Sequence, residues 1–217
     1  MKKSKVLITI LCSVLLVTVS VLGTLAYLTS QDEVVNTFTV GKVNISLDEA
    51  AVNADGTEIA GADRVKENNY HLIPGQTYVK DPTLTVKAKS EDSYVRMLLT
   101  LNCADEFDAI YAPDKADLTT IFNGYDATNW VYETVTRDTA KNTITYEFRY
   151  KEIVAKSPTD TKLDALFDSI TVPSIFDSAD MESIANLKIT VVGHAIQATG
   201  FVDADDAWTA FNEQING

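Results

Sequence analysis

The chain has 217 residues, with 18 Lys and Arg against 31 Asp and Glu, a formal net charge of −13, and 46% hydrophobic side chains. The acid excess argues against nucleic acid or anionic lipid as a partner, because both require a basic surface. It suits a soluble exported protein and leaves cation binding open.

The chain opens with Lys2, Lys3 and Lys5, followed by an uncharged apolar run from Val6 to Leu22. A basic start, an apolar middle and small residues before a junction make a secretory signal peptide. Thr24 and Ala26 fill the two positions that a signal peptidase requires to be small, and the cut would leave Tyr27 as the new N-terminus. Residues 1–26 are therefore read as the signal and 27–217 as one domain. The alternative is an uncleaved anchor, since the run is just long enough to cross a bilayer. In either case the lysines stay inside and the rest is exported. Without those three lysines, 15 basic residues face 31 acidic ones, a net charge of −16. Of the two cysteines, Cys12 lies in the signal, so Cys103 is left alone and no intrachain disulfide is expected.

Strands dominate the exported part. Phe38, Val40, Val43, Ile45 and Leu47 alternate with polar residues, slipping by one at Gly41 as a glycine bulge would. A polar loop or hairpin, Asn53 to Asn69, holds the turn signal Asp55-Gly56. Ile73-Pro74-Gly75-Gln76 has the composition of a type II turn. Leu84, Val86 and Ala88 alternate, and Tyr94 to Leu101 is a denser apolar strand expected at the centre of a sheet. Trp130–Thr136 and Thr143–Tyr150 read as a hairpin, with Ile144, Tyr146, Phe148 and Tyr150 on one face. Leu187 to Ala198 is the last long strand, with Ile189, Val191 and Gly193 on one side. Helices are few: a short one within Asp105–Phe122 broken at Pro113, a turn or two over Leu163–Ile170, and a clear one over Asp203–Ile215. The last carries Ala207, Trp208, Phe211 and Ile215 on one stripe, with Asp203 as N-cap and Asp206 three residues later. Several strands separated by turns, closed by one helix, predict an all-β-dominated sandwich.

The pattern offers little chemistry. His71 and His194 are the only histidines, no H-E-x-x-H is present, and each histidine reads as a structural residue. Glycine-rich phosphate loops and a nucleophile elbow are absent. Asp203, Asp205 and Asp206 suit a helix start better than a calcium loop. Asp105, Glu106 and Asp108 read as solvated surface, and Cys103 as a small buried residue. No catalytic residue, cofactor or metal is expected, with calcium and zinc left open.

Thr24-Leu25-Ala26-Tyr27-Leu28-Thr29, followed by Asn36-Thr37-Phe38-Thr39-Val40-Gly41-Lys42-Val43, resembles the junction of proteins cut by the SipW-type signal peptidase. Leu72–Gln76, Asp92–Arg96, Ala195–Ala198, Gly200-Phe201 and Ala207-Trp208 are similar to the same group, the TasA, CalY and camelysin family of exported biofilm-matrix proteins from Gram-positive bacteria. Nothing in Cys103–Asn129 contributes. The resemblance implies a jelly-roll β-sandwich behind a signal or transmembrane helix. It implies a protein at the cell surface or in the extracellular matrix that polymerises into fibres. Its partners would be further copies of itself head to tail, the SipW-type peptidase and other matrix proteins, with membrane contact only through the segment before cleavage. The donor strand would lie within 27–49, anchored by Phe38, Val40, Val43, Ile45 and Leu47, although the same residues would equally make the first strand of their own monomer. Two alternatives are a camelysin-like metallo-endopeptidase, for which no zinc motif is present, and a minor anchor or adaptor of a fibre.

Overall fold

A computed structural model describes residues 42–110 and 121–216. The fold is mostly β, with three antiparallel sheets and a few short helices. In chain order the strands are β1 (Ile45–Asp48), β2 (Thr77–Val79), β3 (Thr83–Val86), β4 (Ser93–Asn102), β5 (Phe122–Asn123), β6 (Trp130–Asp138), β7 (Thr143–Tyr150), β8 (Thr161–Lys162), β9 (Ser169–Thr171) and β10 (Ile189–Gln197). The helices are α1 (Ala104–Ile110), α2 (Ser178–Ser183) and α3 (Ala204–Asn216). The largest sheet has the order β10-β4-β7-β6, and the smaller ones are β1-β3-β8 and β2-β9-β5.

The dense apolar stretch predicted to be central is β4, paired with β10 on one edge and β7 on the other. Period-two alternation sends Val95, Met97, Leu99 and Leu101 to one side, all of them buried. Ile144, Tyr146 and Phe148 of β7 join them from the next strand. Leu84 of β3, Tyr78 of β2, Ile170 of β9 and Phe122 of β5 close over this face, so the three sheets share one core. Phe122 stacks on Phe167 at 4.8 Å and meets Tyr146 edge-on at 6.3 Å. Phe148 packs against Tyr125 at 5.5 Å and Tyr150 against Trp130 at 5.1 Å. The β6–β7 hairpin forms with Asp138 opposite Thr143 and a bulge at Glu133. The Pro74–Gly75 turn closes through Gln76 N–H to the Ile73 carbonyl at 3.1 Å.

The expected helix over Leu163–Ile170 does not form. Its backbone N–H groups donate outward instead, Leu163 to Leu84, Leu166 to Pro82 and Asp168 to Asn123. Leu163, Leu166, Phe167 and Ile170 are all buried, so the apolar spacing that mimicked a helical stripe serves an extended segment crossing the core. The helix foreseen after Asp105 is α1, and Pro113 lies outside the described residues. Asp105 is exposed, as expected, but the other two acids are more than surface charge. Asp108 takes a bidentate pair from Arg137 of β6 at 2.7 and 2.8 Å, and Glu106 accepts from Asn142 Nδ2 at 2.7 Å. Both are tied down because α1 must be fastened across the β6–β7 hairpin.

Gly56, in the predicted Asp55-Gly56 turn, has φ +81, and an added Cβ would lie 2.7 Å from the Tyr78 Cα and 2.4 Å from its ring. Gly61 has a similar φ, +77, with nothing within 4 Å. Gly56→Ala should therefore lower unfolding stability by about 2–5 kcal/mol, combining backbone strain with overpacking. Gly61→Ala should lose only about 1 kcal/mol, for strain alone. Urea denaturation of the two variants measures the difference, and equal losses would remove the Tyr78 contact as its cause.

Candidate functional site

Thr24, Ala26, Tyr27, Phe38, Val40 and the glycine bulge at Gly41 lie outside the described residues. Val43 sits just ahead of β1, half-buried, in chain with no regular structure. Ile45 and Leu47 are in β1, where they pair with Val86 and Leu84 of β3 in the same chain. Thus the final part of the segment read as a donor strand is a strand of its own monomer.

The register of β1 shows what its other edge presents. Lys87 N–H bonds the Asn44 carbonyl at 2.9 Å. Antiparallel hydrogen-bonded pairs alternate, so Asn44, Ser46 and Asp48 direct their main-chain groups toward β3. Ile45, Leu47 and Glu49 direct theirs the opposite way. Glu49 finds Val65, with N–H to carbonyl distances of 2.8 Å in both directions. Ile45 and Leu47 face an edge with no paired strand among the described residues. The same reasoning applies to β10. Asn102 N–H bonds the Lys188 carbonyl and Ala198 N–H bonds that of Asp92, so the even-numbered residues face β4. Ile189, Val191 and Gly193 then direct their N–H and C=O groups to the outer edge, also without a paired strand among the described residues.

These two edges border one groove of about 940 Å³. Its apolar lining includes Ile45, Leu47, Tyr70, Leu187 and Val191, and its polar lining includes Glu49, Asn68 and Lys80. One end closes where Gly193 approaches Leu84 and Ile45; a Cβ there would stand 2.7 Å from Leu84 Cδ1. A groove of mixed polar and apolar lining, between two rows of backbone donors and acceptors that no strand pairs among the described residues, has the chemistry to receive an extended peptide. Sequence reasoning placed Ile189, Val191 and Gly193 on one face of a strand, but an unpaired edge leaves no local signal.

The other candidates make the following contacts within the fold. His71 is exposed, and its carbonyl accepts from the Tyr78 hydroxyl at 2.8 Å. His194 is half-buried in β10, opposite Arg96 of β4. Arg96 Nε donates to His194 Nδ1 at 3.2 Å, and the imidazole lies 4.7 Å from the Phe211 ring. Burial, followed by the Arg96 charge, pushes the His194 pKa below its ordinary 6.5. Burial, followed by the Glu106 charge, likewise raises the Cys103 thiol. The Asp203 cluster is engaged by the helix start. Asp203 accepts from Asp206 N–H, Asp206 accepts from Val202 N–H, and Asp205 pairs with Arg149. Among the described residues, no group of three or more His, Cys, Asp or Glu is arranged to hold a metal ion, and no helix is long and apolar enough to cross a membrane.

Comparison of the chain with protein-family models, curated proteins and solved structures finds no match.

The His194 geometry sets a pH dependence. Its folded pKa lies below 6.5, so between that value and the folded one the unfolded chain binds more protons. The stability of neutral His194 is fully present above pH 6.5 and falls as the pH drops through that window. His194→Gln keeps an acceptor for Arg96 and cannot titrate. Urea midpoints at pH 7.5 and 5.5 should fall further for the native protein than for this variant, and identical falls would remove His194 as a contributor.

Proposed function

We propose that this protein is an exported structural subunit that polymerises into extracellular fibres by accepting, in the groove between β1 and β10, the N-terminal segment of another copy. One observation carries the reading: two strand edges with no paired strand among the described residues line one groove of mixed polar and apolar lining, with Ile45 and Leu47 on one side and Ile189, Val191 and Gly193 on the other. The donor is the part of 27–49 ahead of β1, with Phe38, Val40 and Val43 as anchors, because Ile45 and Leu47 are used by their own chain. Every second side chain would enter the groove while the backbone pairs with its edges. Donor and acceptor are different surfaces, so the contact is head-to-tail and generates an open filament.

The resemblance of the Thr24–Thr29 junction and of Asn36–Val43 to the TasA, CalY and camelysin family supports the same reading. On it, a SipW-type peptidase cuts between Ala26 and Tyr27 and frees the segment, and the subunit joins the surface matrix of a Gram-positive cell. The antiparallel β-dominated fold is compatible with the jelly roll that the family implies.

Two complementary defects test this. A form starting at Tyr27 should make filaments visible by electron microscopy, and a form starting at Lys42 should stay monomeric with an unchanged circular dichroism spectrum. Val191→Pro removes an outward N–H on an edge strand, where proline is tolerated. It should block acceptance and spare donation. Mixing Val191→Pro with the form that starts at Lys42 should give one-to-one dimers and nothing longer. Filaments from the shortened form alone would sink the proposal.

A further inference from the structure

In the wall of the groove three side chains from separate segments form a cluster that strand pairing does not use. Lys80, between β2 and β3, and Glu49, just after β1, have side chains 7% and 9% exposed, and Nζ meets Oε2 at 2.6 Å. The second oxygen, Oε1, accepts from Asn68 Nδ2 at 2.9 Å. The Asn68 carboxamide is fixed at both ends. Its Oδ1 accepts from Val52 N–H at 3.0 Å, and its Nδ2 also donates to the Ala50 carbonyl at 2.8 Å. The Tyr70 ring lies 5.9 Å from the Lys80 ammonium. Burial and the neighbouring Glu49 charge push the Tyr70 hydroxyl up, so it stays a neutral donor to the Val79 carbonyl at 3.1 Å.

A buried ion pair by itself contributes little net stability, and the Asn68 amide supplies the hydrogen bond that the second oxygen of a buried carboxylate requires. An amine, a carboxamide whose carbonyl already receives a backbone N–H, and one carboxylate touching both nitrogens are the parts of an aminolysis site. We propose that Lys80 and Asn68 become joined by an intramolecular isopeptide bond, with Glu49 as the catalytic proton carrier.

The step balances within the cluster. Glu49 Oε2 takes a proton from the Lys80 ammonium, and the freed amine lone pair attacks Asn68 Cγ. The carbonyl π electrons move to Oδ1, where Val52 N–H stabilises the oxyanion. Protonated Glu49 passes its proton to Nδ2, the Cγ–Nδ2 bond breaks, and that nitrogen leaves as ammonia. The attacking nitrogen gives up its second proton to Glu49, and ammonia carries it off as ammonium. An amide, an ammonium ion and the original carboxylate result, with no oxidant, reductant or cofactor. The bond closes a ring through the Pro74–Gly75 turn and fastens the chain entering β2 to the groove wall.

Intact mass of the purified, folded full chain tests this directly, and it should fall short of the sequence mass by one ammonia. Trypsin should then fail to cut after Lys80 and give the peptide 67–87 without that ammonia and without fragment ions from breaks between Asn68 and Lys80. The map also separates this outcome from succinimide formation at Asn123-Gly124 or Asn216-Gly217, which has the same mass loss. Glu49→Gln and Lys80→Arg should both restore the full mass, and Lys80→Arg keeps a cation beside Glu49 should the first variant not fold. A native protein at full sequence mass, cleaved after Lys80, overturns the proposal, as does an ammonia loss mapped only to Asn123-Gly124 or Asn216-Gly217.

Discussion

Both edges of β4 are hydrogen-bonded, its odd-numbered face is buried, and its even-numbered face is half-covered along its length and closed at Arg96, which constrains what packs around it. Its odd-numbered side chains fill the shared core. The even side must also be closed, because it holds Arg96, 2% exposed on a strand that cannot turn it outward. A desolvated guanidinium has to be surrounded by acceptors and π faces. Glu147 of β7 lies 3.5 Å away, Asn212 Oδ1 accepts at 2.7 Å, and the Trp208 and Phe211 rings stand 4.4 and 5.2 Å from its carbon centre. Three of those four partners belong to α3. The C-terminal helix is therefore docked by the needs of one buried cation as much as by apolar area.

That arrangement accounts for the course of the helix. Ala207 and Trp208 are fully covered, Phe211 is half-covered, and Ile215 is 58% exposed although it continues the same stripe. The contacts with Arg96 fall at positions 208, 211 and 212, so the helix is held in its middle and its last turn runs past the cation. His194 belongs to the same assembly as an acceptor, and its neutrality follows from facing both burial and a permanent charge.

Much of this was legible in the sequence, for a physical reason. Long strands with one buried face must alternate, so β4, the β6–β7 hairpin and β10 could be read from residue order, and so could the cap and first turns of α3. Two- and three-residue strands such as β5, β8 and β9 have no room for a period. Leu163, Leu166, Phe167 and Ile170 show the resulting error, because spacing that suits one helical face also suits a buried crossing segment whose N–H groups find partners elsewhere. The groove was not legible, since an edge is a property of topology. The Glu49, Asn68 and Lys80 cluster was invisible for the same reason: its members stand 19 and 31 residues from Glu49 and carry no motif.

Free strand edges invite unwanted pairing, and proteins usually blunt them. The β6 edge of the large sheet is blunted. Glu133 bulges out of register, Arg137 is drawn toward α1 by Asp108, and Asp138 begins the turn. Among the described residues the edges of β1 and β10 carry no such guard over Ile45–Leu47 and Ile189–Gly193, where the side chains are apolar or small and the register is regular. Among the described residues the β6 edge is thus guarded, while the edges of β1 and β10 that border the groove have no paired strand. The chain's strongly acidic surface disfavours indiscriminate contact between copies. Any association must then be driven by backbone pairing and apolar fit confined to that groove, which is the condition for directed assembly rather than aggregation.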